Sequence, residues 1–145
     1  MVFQERFPRH RLEERQLKTA LDAARTLLTA QKTVSFTYLH GAALHLLRGE
    51  QDLPPHDLDL AIYLNGGDFL GIALDLQLDF DRLTGFIPEL LDVHSLNDAP
   101  FPAAIKILEQ GALLFCRDDT RHADFLEKFS NSRPHMADLL EASHG

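Results

Sequence analysis

Thiols are almost absent from this chain. Cys116 is the single cysteine among 145 residues, so no intramolecular disulfide can form. No apolar run approaches the roughly 20 residues needed to cross a bilayer, and the start, Met1-Val2-Phe3-Gln4-Glu5-Arg6, becomes charged too soon for a secretory signal. These absences together point to the cytoplasm and away from a membrane. Positive charge is scarce as well: 14 Lys and Arg stand against 22 Asp and Glu, a formal charge of −8. A general nucleic-acid binder needs a cationic surface, so direct nucleic-acid binding is not expected. A basic partner, or a ligand that arrives with its own metal ion, suits such a chain better. Internal repeats, low-complexity tracts and long linkers are missing too, which leaves one domain over residues 1–145. A domain of this size buries roughly 68–70% of its unfolded surface and needs no disulfide or metal merely to fold.

What the chain does contain is an apolar segment with two acids in it, His56-Asp57-Leu58-Asp59-Leu60-Ala61-Ile62-Tyr63-Leu64. Strand side chains alternate, so Asp57 and Asp59 share one face while Leu58, Leu60, Ile62 and Leu64 share the other, a core face. Aspartate is disfavoured in strands, and two on one face suit a hard divalent cation such as Mg²⁺. The plainer reading is a half-exposed strand whose solvent face is acidic. Around it, apolar residues at helical spacing (Leu12, Leu17, Leu21, Ala24, Leu28) predict a helix over 11–31. Residues 34–40 predict a strand running into a turn at Gly41, and 42–48 a short helix closed by Gly49. Asp68 is placed to N-cap a helix reaching about Leu83. Residues 88–95 hold a third strand with Asp92 and His94 on one face and Leu91 and Val93 on the other. A helix over 102–110 stops at Gly111, residues 112–116 form a short buried strand, and 120–140 is helical with a break near 130–134. Helix and strand thus alternate throughout, an α/β (α+β) chain with a small mixed sheet backed by helices.

Three features stand in order: a strand ending at Gly41, a strand bearing Asp57 and Asp59, and a later strand bearing Asp92. This order resembles the polymerase-β-type nucleotidyltransferase superfamily. The second half, Leu91-Asp92-Val93-His94-Ser95-Leu96-Asn97-Asp98-Ala99-Pro100 followed by Ile107-Leu108-Glu109-Gln110-Gly111-Ala112-Leu113-Leu114-Phe115, is similar to the minimal nucleotidyltransferase (MNT) antitoxins encoded beside HEPN ribonuclease toxins. That resemblance spans roughly 34–118 and implies Mg²⁺-dependent transfer of AMP from ATP to a hydroxyl, a tyrosine of a HEPN toxin held in a hetero-oligomer. It implies that Asp57 and Asp59 hold metal and triphosphate, and that Asp92 holds the catalytic metal and takes the acceptor proton. Gly41 and Ala42 would lie against the phosphates, with the N-terminal end of the following helix adding its field. Arg48 is in reach of a phosphate, although an arginine at a helix C-terminus is favourable without one.

The chain departs from the family at two places. Ala42 stands where a serine hydroxyl is usual, and His56 where a small hydroxyl residue often precedes the first aspartate. The segment from Gly41 to Asp57 is also longer than in the shortest members, in a style closer to AbiEii-like antitoxin nucleotidyltransferases. One missing hydrogen bond to a charged phosphate costs about 1.5–3 kcal/mol, which slows an enzyme without abolishing it. Two competing readings follow: an antitoxin of this fold that acts by binding alone, and a small-molecule nucleotidyltransferase of the aminoglycoside type, for whose substrate domain there is little room.

Other residues read more plainly. His94 is expected to be a hydrogen-bonded strand residue, with orientation of a carboxylate or acceptor as its functional alternative. His40 and His45 lack a third ligand at zinc spacing, Cys116 is expected in the core, and Gly66-Gly67 is a turn. The C-terminal helical extension, 120–145, carries Phe125, Phe129, Met136, Leu139 and Leu140. They are expected either to pack on the chain's own sheet or, from Met136 onward, to dock a helical partner.

Overall fold

The computed structural model describes residues 13–50, 57–85 and 90–132. Its elements are α1 (Glu14–Ala30), β1 (Val34–His40), α2 (Ala42–Leu47), β2 (Leu58–Leu64), α3 (Phe69–Thr84), β3 (Leu91–Ser95), α4 (Phe101–Gln110), β4 (Ala112–Cys116) and α5 (Asp119–Ser132). The predicted alternation is therefore the observed one. The strands form one mixed sheet in the order β3-β2-β1-β4. β1 pairs antiparallel with β2 and β4, whereas β2 and β3 run parallel. A parallel pair needs a crossover, and α3 supplies it.

Leu17, Ala20, Leu21, Ala24 and Leu28 are the buried stripe of α1. They meet Leu58, Leu60, Ile62 and Leu64 of β2, Leu76 and Phe80 of α3, and Leu91 and Val93 of β3 in one apolar cluster. A second cluster fills the opposite face of the sheet: Phe36, Tyr38 and Ala61 against Ala104 and Ile105 of α4 and Phe125 and Phe129 of α5. The acidic face of β2 is thus not a solvent face along its length. It is covered at Ala61 and Tyr63 and opens only where Asp59 and Asp57 emerge.

The extension contributes to that cover. Phe125 lies 5.4 Å from the Phe36 ring and 4.9 Å from Phe129, which stands 4.8 Å from Phe101. The apolar residues of α5 named in the sequence are core; Met136, Leu139 and Leu140 lie outside the described residues, as do Leu12 and His56. Cys116 is half-buried rather than core, with its thiol donating to Asp119 Oδ1 at 3.3 Å. Burial and Asp119 push that thiol up, so it stays protonated.

Side chains finish what the backbone leaves unpaired. Asp68 N-caps α3, accepting from the Gly71 amide at 3.2 Å. Asn97 pairs reciprocally with Leu64, accepting from its amide at 2.8 Å and donating to its carbonyl at 2.9 Å, so an asparagine amide extends the strand pairing by one residue. Gly111 is extended at φ −80, not left-handed. It is glycine for space, because a Cβ there would lie 2.5 Å from the Ile107 carbonyl oxygen and 3.1 Å from that of Leu39. Arg117, just beyond β4, donates to the carbonyls of Leu28 at 2.9 Å, Thr29 at 2.8 Å and Val34 at 3.2 Å. One guanidinium thereby closes the C-terminus of α1, whose last turn holds no basic residue of its own. Arg117→Ala is expected to lower stability by about 1–2 kcal/mol in urea unfolding, with Arg117→Lys recovering less than half because an ammonium cannot fork to several carbonyls.

Candidate active site

The parallel register sets Asp59 beside Asp92 and Leu58 beside Leu91. Antiparallel pairing sets His40 beside Asp59 on the other flank. His40, Asp59 and Asp92 therefore form a row across three neighbouring strands, and His94 follows Asp92 on the same face. His94 Nε2 donates to Asp92 Oδ2 at 3.1 Å and lies 3.9 Å from Asp59 Oδ1. The His40 and His94 rings are 5.5 Å apart. Asp57 stands at the mouth of β2, half-buried, close enough to act electrostatically on Asp59.

Electrostatics make this the tense part of the molecule. Asp59 is raised from 3.8 to about 6, first by burial, then by the negative charge of Asp92 and a hydrogen bond with it, then by Asp57; His94 opposes the shift. His40 is lowered, chiefly by burial, with His94 and Lys106 adding to the effect and Asp92 opposing it. A neutral His40 cannot balance the carboxylates. Its Nε2 is buried with no hydrogen-bond partner among the described residues. Carboxylates gathered on one face with too little cationic charge are a donor set that fits a divalent cation.

Gly41 completes one wall. It adopts φ 79, and a Cβ there would collide with Asp59 Oδ2, so the position requires glycine for both conformation and space. The helix after it is short, Ala42–Leu47, and adds little field of its own. Ala42 follows Gly41 directly, with no hydroxyl to offer. Arg48 is turned elsewhere: its guanidinium donates to the Gln110 carbonyl at 2.7 Å, tying α2 to the end of α4. His45 is paired with Glu50 at 2.7 Å. Beside Gly41 opens a cavity of about 310 Å³ lined by His40, Leu44, Ala103, Lys106 and Ile107 among others. A hollow of about 430 Å³ against Tyr63 and α5 holds none of these carboxylates.

The structure thus brings together Asp59, Asp92 and Gly41, with Asp57 at the edge, and sends Arg48 to a structural bond. His94 is hydrogen-bonded on its strand as expected, and the sequence does not place His40 or Lys106 beside the carboxylates. Alternation from Asp92 was the available signal for His94; His40 needed the β1–β2 register, and Lys106 the packing of α4.

The sign of the Asp59 shift gives a test. The folded protein keeps a proton at Asp59 up to about pH 6, whereas the unfolded chain releases it near 3.8. Stability from this group therefore falls as pH rises from about 4 to about 6. Asp59→Asn is expected to raise Tm at pH 7.5 without divalent cation, with the gain vanishing near pH 4. Divalent cation should raise Tm in the parent and much less in the variant.

Comparison with known proteins accords with this geometry. The family model "Polymerase beta, Nucleotidyltransferase" matches residues 23–120. None of the curated proteins matches the chain. Among solved structures, an MNT antitoxin in complex with the tri-AMPylated HEPN toxin of Shewanella oneidensis is similar, with TM-score 0.54 and 11% identity over 89% of this chain and 99% of that one. A toxin–antitoxin with AMP-PNP gives TM-score 0.55 and 13% identity over 86% and 98%. The toxin–antitoxin MntA-HepT gives 0.52 and 13% over 88% and 99%. At these identities the likeness is one of fold. The family match spans most of the chain, including both aspartate strands, and the chain belongs to the polymerase beta nucleotidyltransferase family.

Proposed function

We propose that this chain is an antitoxin that transfers AMP from ATP to a hydroxyl, a tyrosine, of a HEPN toxin. The observation that carries the reading is the pairing of Asp59 with Asp92 across parallel strands in a chain of nucleotidyltransferase fold. The fold neighbours add to it, since one is a complex with a tri-AMPylated HEPN toxin and another holds AMP-PNP.

In this reading Asp57, Asp59 and Asp92 hold Mg²⁺, which, when bound, screens the triphosphate and the charge that develops on transfer. Asp57 and Asp59 anchor the triphosphate end of ATP. Asp92 accepts the proton of the acceptor hydroxyl as its oxygen bonds to the α-phosphorus, the bond to the β-phosphate oxygen breaks and pyrophosphate leaves. Gly41 lets the nucleotide approach backbone without a side chain between. The adjacent cavity offers Leu44, Ala103 and Ile107 as apolar walls for base and ribose, and Lys106 as a cation near the phosphates. Lys106 takes over part of the phosphate contact that Ala42 lacks and that Arg48, bonded to Gln110, does not make. For the partner, α3 presents Leu70, Leu74 and Leu78, exposed at four-residue spacing, a strip suited to a helical protein.

Ala42 also favours a second reading, neutralisation by binding alone. One experiment separates the two. The chain is co-expressed with the toxic protein encoded beside it, as parent and as the double variant Asp57→Asn, Asp59→Asn. Transfer predicts that the variant still folds and binds but no longer rescues growth. Rescue by the variant, undiminished, would overturn transfer as the mode of neutralisation.

A further inference from the structure

Among the described residues, the ligand atoms of Asp59, Asp92 and His94 all lie within 4.8 Å of one another. Two of these are carboxylates, and the third is a ring nitrogen. Adjacent ligands of an octahedral ion with metal–ligand distances of about 2.1 Å are about 3.0 Å apart. His94 Nε2 already stands 3.1 Å from Asp92 Oδ2 and 3.9 Å from Asp59 Oδ1. Bringing His94 Nε2 to that spacing from Asp59 Oδ1 takes a closure of less than 1 Å, within the reach of a side chain that is about half exposed, and the widest separation in the set, at most 4.8 Å, closes by about 2 Å at most.

The surroundings leave His94 no stronger partner. Its hydrogen bond runs to a carboxylate that a cation would also take. The His40 ring lies 5.5 Å from the His94 ring, tilted by 54° to it. Gly41 leaves the space that Asp59 occupies, since any larger residue would displace that carboxylate.

Ligand chemistry then sets the metal. Carboxylates alone suit Mg²⁺, Ca²⁺ or Mn²⁺, whereas imidazole suits borderline transition ions. We propose that His94 Nε2 is a ligand of the cation held by Asp59 and Asp92, and that this nitrogen selects Mn²⁺ or a similar transition ion over Mg²⁺. The inference rests on the carboxylates being a metal site, and it changes which metal the site prefers.

Mn²⁺ serves as ligand and probe, on the full-length chain. Free Mn²⁺ measured by continuous-wave EPR gives affinity, pulsed EPR reports directly bound ¹⁴N, and competition with Mg²⁺ gives selectivity. The parent is expected to show ¹⁴N coupling. His94→Ala should lose it, bind Mn²⁺ about tenfold or more weakly, and lose most of its preference over Mg²⁺. Bound Mn²⁺ without ¹⁴N coupling in the parent, or coupling that persists in His94→Ala, would overturn the role of His94 while leaving the carboxylate site standing. Failure of the parent to bind Mn²⁺, or binding unaltered in Asp59→Asn, would overturn both.

Discussion

Parallel pairing of β2 with β3, in the register that sets Asp59 beside Asp92, is the constraint on which the rest of this structure depends. It brings two like charges together on neighbouring strands, an arrangement that costs energy in any sheet. The same register sets Leu58 beside Leu91 and Leu60 beside Val93, and all four side chains are buried. A shift by one residue would turn those leucines and valine out of the core and the carboxylates in. Apolar burial on one face therefore fixes the electrostatic strain on the other, and Asp59 registers that strain in its raised pKa.

The helices decide where the strained face opens. β1 and β2 are the central strands and are covered on both sides, by α1 and α3 on one and by α4 and α5 on the other. Phe125 and Phe129 pack on the second face over Ala61 and Tyr63, and the carboxylate row lies at the end of the sheet carrying His40, Asp59 and Asp92. Gly41 lies at that end because a side chain there would occupy the space of the Asp59 carboxylate. Arg117 closes α1, and Asn97 lengthens the β2–β3 junction by pairing with Leu64. Each of these contacts lies away from the carboxylates yet holds the sheet that aligns them.

Much of this could be read from sequence because the signals are local. The alternation in Asp57–Leu64 and Leu91–Ser95, the Asp68 cap and the ordered aspartates each need only a few adjacent residues. What escaped depends on contacts distant in the chain. Arg48 looks like a phosphate ligand until the end of α4, 62 residues on, takes its guanidinium. Gly111 looks like an ordinary helix-ending glycine, whereas a Cβ there would meet the carbonyl of Ile107 and, from the distant β1, that of Leu39. His94 is the hydrogen-bonded strand residue that the sequence predicts, bonded to Asp92 of its own strand, but its approach to Asp59 needs the neighbouring strand. Packing of the C-terminal stripe on the chain's own sheet is the reading the sequence favours, and it holds for Phe125 and Phe129, which meet Phe36, Tyr63 and Phe101; Met136 to Leu140, the segment read as a docking surface, lie outside the described residues.

Family membership and the carboxylate row make AMP transfer the central claim, and the mass of the partner tests it most directly. The chain is incubated with ATP, divalent cation and the purified product of the neighbouring gene, and that product is then measured by intact-mass spectrometry. The account predicts whole AMP additions on a tyrosine with the parent and none with Asp92→Asn. A neutralised partner of unchanged mass would contradict it.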